Sequence, residues 1–160
     1  MARVTRRVAS TVTLILAVVA LGACGGGTST KDKNAYAEQV NAAQSKFSST
    51  VANAAAEETK GERSLGRLQL TLQRFRTAVD GVVRDLRDID APSEVTTEHE
   101  RLVSVMSGYG DEIGRTIEEM RNPTPRVAQL AKQRLDSAQR SVTARVNAAI
   151  AAINVKLRGG

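Results

Sequence analysis

The sequence of 160 residues predicts an all-α fold, an antiparallel up-down-up-down four-helix bundle that follows a signal peptide and a glycine-rich tether. Apolar residues recur at steps of three and four along four long segments, which is the spacing of one helical face. Two proline-containing turns separate the later segments. No segment shows the strict alternation of apolar and polar residues that is typical of a strand. Long helices joined by short turns pack as an up-and-down bundle.

The N-terminal segment predicts secretion. Arg3, Arg6 and Arg7 precede an uncharged apolar run, residues 8–21. A basic start and a short apolar run are typical of a secretory signal, and this run is shorter than the ~20 residues of a transmembrane helix. We therefore predict that residues 1–23 are a signal peptide and that the rest of the chain is extracytoplasmic.

The residues before Cys24, the only cysteine, resemble the bacterial lipobox, because Leu21, Gly22 and Ala23 match its three positions. The resemblance implies a thioether-linked diacylglycerol on Cys24, and two acyl chains are enough for stable anchoring to a membrane. The alternative is an ordinary signal peptide followed by an incidental free thiol. Residues 24–31, rich in Gly, Ser and Thr, predict a flexible tether between the lipid and the folded domain.

The first two predicted helices span residues 32–59 and 62–88, with Gly61 as a C-terminal stop for the first. The apolar positions of the second helix continue at heptad spacing, which favours a shallow, coiled-coil-like packing angle. The two apolar faces do not join in phase, which favours a hairpin over one long helix. The faces comprise Tyr36, Val40, Ala43, Phe47, Val51 and Ala54, and then Leu65, Leu68, Leu72, Phe75, Val79, Val82, Leu86 and Ile89.

The third and fourth predicted helices span residues 93–121 and 125–156, so that the bundle domain covers residues 32–158. Ser93 and Thr124 are candidate N-caps, and proline suits the first helical position that follows Thr124. The apolar faces comprise Val95, His99, Leu102, Met106, Tyr109, Ile113, Ile117 and Met120, and then Val127, Ala131, Leu135, Ala138, Val142, Val146, Ala149 and Ile153. Three glycines within the third helix, Gly108, Gly110 and Gly114, predict close helix packing, with a kink as the alternative.

Charge is distributed unevenly between the last two predicted helices. Residues 93–121 carry seven acidic and three basic side chains, whereas residues 126–158 carry seven basic side chains and one acidic one. Two interpretations of the basic helix stay open, namely pairing with the third helix and contact with an anionic surface such as lipid headgroups or cell-wall polymers. The basic residues are Arg126, Lys132, Arg134, Arg140, Arg145, Lys156 and Arg158.

Composition and motifs favour a protein without catalytic, cofactor-binding or metal-binding residues. Removal of the signal peptide lowers the net charge from +6 to +3, and four aromatic residues are few for a protein that stacks nucleic-acid bases. His99 is the only histidine, so a zinc site with several histidines or a nucleophilic triad has no candidate residues. It could act as an axial haem ligand or a metal ligand, but the sequence favours a histidine at the edge of the core.

The segment LRDIDAPSEVTTEHERLV, residues 86–103, resembles a recurring pattern in small uncharacterised bacterial lipoproteins. The resemblance implies a helical, membrane-anchored extracytoplasmic lipoprotein and assigns no functional residues. We therefore predict a non-enzymatic interaction or scaffold module of the cell envelope with a protein partner and no nucleic acid. The alternative is a carrier that binds a small ligand or lipid between the helices. The matching residues are Leu86, Ile89, Pro92, His99, Leu102 and Val103.

Overall fold

The structure is a computed structural model that describes residues 29–58, 64–122 and 124–159. These ranges contain four α-helices and no strand, so the predicted all-α class is confirmed. The predicted signal peptide, the lipidation site Cys24 and the stop at Gly61 lie outside the described residues. The helices are α1 (Thr30–Glu58), α2 (Leu65–Arg87), α3 (Thr96–Glu119) and α4 (Pro125–Gly159).

Hydroxyl side chains cap three of the four helix starts. Ser29 Oγ accepts a hydrogen bond from the Asp32 backbone N–H at 3.2 Å. Thr124 Oγ1 accepts one from the Val127 N–H at 3.2 Å, which confirms Thr124 as the cap of α4. Such bonds satisfy backbone donors that have no partner within the helix.

The predicted start of α2 at residue 62 was wrong by three residues. Ser64 has an extended backbone, with φ −124° and ψ 158°, and its side chain accepts a hydrogen bond from the Arg67 N–H. A serine in this conformation ends the preceding connection and caps the helix that follows. The helix therefore begins at Leu65.

The prediction that Ser93 caps α3 was also wrong. Residues 93–95 form a turn closed by a bond from the Val95 N–H to the Pro92 carbonyl, at 2.9 Å. The Ser93 hydroxyl donates to the neighbouring Glu94 carboxylate at 3.4 Å, and Val95 precedes the helix without a side-chain cap. The turn therefore delays the helix to Thr96.

Consecutive helices pack against each other, and cross-helix contacts show that α3 and α4 run in opposite directions. Near the start of α3, Glu98 meets Lys156 close to the end of α4. Near the end of α3, Glu119 meets Arg134 in the first part of α4. Contacts between the end of α2 and the start of α3 have the same reversed order. α2, α3 and α4 therefore alternate in direction, as consecutive helices of an up-and-down bundle do.

The larger core lies where α1 and α3 begin and where α2 and α4 end, a region we call the His99 end. All four helices contribute to it, and the predicted apolar faces supply nearly all of its members. A smaller cluster of Leu72, Met120 and Ala131 lies at the opposite end and draws on α2, α3 and α4. The buried residues of the larger core are Tyr36, Val40, Ala43, Val79, Val82, Val83, Leu86, Ile89, Val95, Leu102, Val105, Met106, Tyr109, Ile113, Val146, Ala149, Ile150 and Ile153.

Two of the three glycines of α3 make room for side chains of α2, chiefly Val79 at Gly110 and Arg76 at Gly114. The guanidinium of Arg76 lies over Gly110 and Gly114 and donates a hydrogen bond to the Gly110 carbonyl. A Cβ atom added at Gly114 would lie 2.5 Å from Arg76 Nη1, whereas one added at Gly108 would meet nothing within 4 Å. Close packing thus explains two of the glycines and leaves Gly108 without a packing role.

Candidate functional site

His99 is buried at the His99 end and both of its ring nitrogens have hydrogen-bond partners. The side chain is 6% exposed. Its Nε2 lies 3.0 Å from the Leu86 carbonyl oxygen, and its Nδ1 lies 3.1 Å from the Tyr36 hydroxyl. A carbonyl only accepts, so Nε2 carries the proton and, in the neutral ring, Nδ1 accepts the Tyr36 O–H. His99 is therefore a buried polar residue beside the larger core, where the sequence predicted a histidine at the edge of the core.

Charged residues connect the helices at the same end of the bundle. Lys156 Nζ lies 2.9 Å from Glu98 Oε1, and Lys33 Nζ lies 3.5 Å from the Leu157 carbonyl oxygen. The hydrogen bond from Lys156 lowers the pKa of Glu98. Burial, with a smaller contribution from the Glu98 charge, raises the pKa of Tyr36 to about 12. The result is a polar network that reaches from α1 to α4.

An open groove lies on the outer side of this network, between the end of α2, the connection to α3 and α3 itself. Its volume is about 680 Å³, within the range of about 300–1,000 Å³ that is typical of ligand sites. His99 and the side chains of Ile89, Ala91 and Val103 contribute its less polar lining. We call it the α2–α3 groove; its other lining residues are Arg87, Asp90, Thr96, Glu100, Ser104, Ser107, Gly108 and Asp111.

The charge of the α2–α3 groove is predominantly negative. Asp90 and Glu100 are exposed and have no ion-pair partner among the described residues. Asp111 lies 3.7 Å from Arg76 Nη2, and Arg87 is the basic residue that lines the groove. Two unpaired carboxylates beside an aliphatic floor suit a partner segment that carries Lys or Arg next to apolar side chains.

The basic residues of α4 divide into two groups. Lys132 pairs with Asp136 at 2.7 Å, Lys156 pairs with Glu98, and Arg134 pairs with Glu119 and with Glu112. The predicted pairing with α3 is therefore confirmed for Arg134 and Lys156. Four arginines are exposed and have no ion-pair partner in the described part of the chain: Arg126, Arg140, Arg145 and Arg158.

A cavity between the helices bears on the predicted carrier. It has a volume of about 50 Å³, and its lining residues are apolar, among them Val40, Leu102 and Val146, except for Gln44. Ligand pockets usually have volumes of about 300 Å³ or more, so this cavity is much smaller than a typical ligand pocket. The cavity lends no support to a carrier that holds a lipid between the helices, which stays a prediction.

The α2–α3 groove was not predicted from the sequence. Its lining comes from the connection between two helices and from the polar flank of α3, and which of these residues stay uncovered depends on how the helices pack. Within the described ranges, no three His, Cys, Asp or Glu side chains lie together as a metal site would require. No described helix combines the length and the apolar character that crossing a bilayer demands.

Comparison of the chain with protein-family models, with curated proteins and with solved structures gave no match. The resemblance to small lipoproteins is therefore carried by the residues of the sequence alone. It stays a prediction, as does the lipidation of Cys24.

Proposed function

We propose that this protein is a lipid-anchored, extracytoplasmic interaction module of the bacterial cell envelope, and that the α2–α3 groove is its protein-binding surface. The partner segment carries basic side chains next to aliphatic ones. The anchor is a diacylglycerol on Cys24, which holds the bundle at the membrane. The observation that carries the proposal is the groove itself, with the unpaired carboxylates of Asp90 and Glu100 beside its apolar floor.

The start of α1, to which the proposed anchor would be joined, lies at the same end of the bundle as the groove. Six residues run from Cys24 to Ser29, so the chain between them spans at most about 18 Å. α1 begins at Thr30, and its Tyr36 hydrogen-bonds His99, which lines the groove. A partner that is itself at the membrane surface is therefore within reach of the groove.

The chemistry of His99 supports a role in binding rather than catalysis. A general base needs a free nitrogen within hydrogen-bond reach of the proton that it removes. Both nitrogens of His99 are already occupied, by Tyr36 and by the Leu86 carbonyl. The histidine therefore positions the first turn of α3 below the groove and contributes to its lining.

Photocrosslinking in the host cell tests the proposed surface. A photoreactive amino acid at Ser104, which lines the groove, is expected to trap a discrete partner. The matched control is Ser141, an exposed serine of α4 outside the groove. Reversing two charges with Asp90→Lys and Glu100→Lys is expected to lower the yield at Ser104 at least tenfold, whereas Glu38→Lys on α1 leaves it unchanged. Equal crosslinking yields at Ser104 and Ser141 would contradict the groove assignment. So would a yield at Ser104 that the charge reversals leave unchanged.

The anchor has a separate test in the intact mass of the protein purified from its host. The expected mass is that of residues 24–160 with a diacylglycerol on Cys24. An unmodified Cys24 would contradict the anchor, whereas the crosslinking test of the groove would remain valid.

A further inference from the structure

The outward face of α4 carries three unpaired arginines in one line. The buried residues Ala131, Ala149 and Ile153 mark the side of α4 that faces the core. Arg140 and Arg158 are 18 residues apart, which is five helical turns, so they share one angular position opposite that side. Arg126 precedes Arg140 by 14 residues, close to four turns, and lies within about 40° of the same line.

The rest of this face is uncharged along the described length of α4, and many of its side chains are small or apolar. Leu130 is 53% exposed and Val155 is 70% exposed, both within the same sector of the helix. Asp136 is the one acidic residue of α4, and it pairs with Lys132 on the flank. We call this surface the α4 face; its small exposed residues are Ser137, Ala144, Ala148 and Ala151.

From these observations we propose that the α4 face lies on the anionic headgroups of the membrane that holds the anchor, and so sets the orientation of the bundle. This inference rests on the lipid anchor of the proposed function. The partner follows from charge complementarity, because long arginine side chains reach phosphate groups while their stems cover apolar surface. Leu130 and Val155 then enter the boundary between headgroups and acyl chains.

The position of the predicted anchor supports a membrane rather than a distant polymer as the partner. Lys33, near the start of α1, hydrogen-bonds the Leu157 carbonyl near the end of α4. The C-terminal part of the α4 face is therefore held beside the point where the short tether enters the bundle. Arg158 and Val155 lie next to the bilayer in this arrangement, and the remaining arginines follow over about 48 Å of helix.

The same placement leaves the α2–α3 groove accessible. The arginines lie opposite the side of α4 that packs into the bundle, so a membrane on the α4 face covers neither the connection after α2 nor the flank of α3. Asp90 and Glu100 are thereby kept away from the negative membrane surface, which would repel them. One contact surface thus faces the bilayer while the other faces the partner.

A fluorescence experiment on the intact lipoprotein tests the orientation. The protein is purified from its host and reconstituted in vesicles of phosphatidylcholine alone or with about one third phosphatidylglycerol. An environment-sensitive dye is attached to Ala144→Cys on the α4 face or, as the matched control, to Ser104→Cys in the groove. Because Cys24 is the only native cysteine, its lipidation leaves the introduced thiol as the single labelling site. Dye on Cys24 itself would refute the anchor and is distinguishable from the result at position 144.

We expect a blue-shifted emission at position 144 in the anionic vesicles, no shift in the neutral vesicles, and no shift at position 104 in either. Each arginine near such a surface strengthens binding about fivefold, so the combined change Arg126→Gln, Arg140→Gln and Arg158→Gln weakens the contact on the order of 100-fold. Salt at about 0.5 M acts in the same direction.

Three outcomes would overturn the proposal. The first is equal emission in neutral and anionic vesicles, and the second is a shift that survives the triple change. The third is a shift at position 144 that appears only on addition of a soluble anionic cell-wall polymer, which would transfer the α4 face to that class of partner. Circular dichroism of the triple variant verifies that its helices are intact, since all three side chains are exposed.

Discussion

Among the described side chains, the two ends of the bundle differ in how many helices contribute buried residues. At the His99 end, α1 buries Tyr36, Val40 and Ala43 against the other three helices. Beyond Phe47, the described side chains of α1 up to residue 53 are exposed or half-buried. The buried cluster at the opposite end contains Leu72, Met120 and Ala131, none of them from α1.

The two ends also differ in their polar contacts. The His99 end carries the buried hydrogen bonds of His99 and the ion pair between Lys156 and Glu98. At the opposite end, Arg134 and Glu119 pair on the exposed surface, where such a pair contributes only ~0–1 kcal/mol. Buried hydrogen bonds require one specific arrangement, because unpaired groups would cost free energy. The α2–α3 groove therefore lies over the part of the bundle that is most tightly specified.

A matched pair of leucines provides the largest expected effect. Leu102 is 3% exposed in the larger core, and Leu72 is 5% exposed in the smaller cluster. Leucine-to-alanine changes in a core cost about 2–5 kcal/mol, and the cost is lower where the surroundings can collapse into the cavity. We expect Leu102→Ala to lower the free energy of unfolding by about 4 kcal/mol and Leu72→Ala by about 2 kcal/mol. Urea unfolding followed by circular dichroism measures both; an equal or larger loss for Leu72→Ala would contradict the difference between the ends.

High pH is expected to lower the free energy of unfolding through two buried tyrosines of the larger core. Burial raises the pKa of Tyr36 and of Tyr109 to about 12, from 10.0 when exposed, with smaller contributions from the charges of Glu98 and Asp136 respectively. Because the folded pKa is the higher one, the stabilisation is complete below pH 10 and is lost as pH rises toward 12. The loss is about 1.4 kcal/mol per pH unit for each tyrosine.

Unfolding in urea at pH 9 and at pH 11 measures this loss. Tyr36→Phe and Tyr109→Phe are each expected to flatten the alkaline decline, although the first also removes the hydrogen bond to His99. A wild-type stability that is unchanged between the two pH values would show that the tyrosines are not protected by burial.

The sequence predicted the core more completely than the helix starts or the site. The predicted face of the third helix is apolar at every three- or four-residue step except His99, and the structure buries seven of its eight positions and half-buries Ile117. Ser64 caps α2 although it was not predicted to, whereas Ser93, the predicted cap of the third helix, lies in the turn after Pro92. Local patterns cannot separate these two cases because the turn depends on how α2 meets α3.

The sequence could not predict which basic residues of α4 are paired and which are not, for a related reason. The sequence shows seven basic side chains. Which of them form ion pairs depends on which side of α4 faces α3 and on how far the two helices are shifted along each other. Arg134 and Lys156 meet carboxylates there, whereas Arg140 and Arg158 point away from the core. The α2–α3 groove likewise forms only when the connection after α2 is in place.

The smallest expected effect concerns the contact that joins α2 and α3 between the two ends. At Gly108 an added Cβ meets nothing within 4 Å, so Gly108→Ala is expected to raise the free energy of unfolding by about 0.5–1 kcal/mol through helix propensity. At Gly114 the same change displaces the Arg76 guanidinium and its bond to the Gly110 carbonyl. Losing that bond costs about 1 kcal/mol, which offsets the propensity gain.

Thermal unfolding is expected to give a higher Tm for Gly108→Ala and an unchanged or lower one for Gly114→Ala. Equal gains at both positions would mean that Arg76 contributes nothing to joining the two cores.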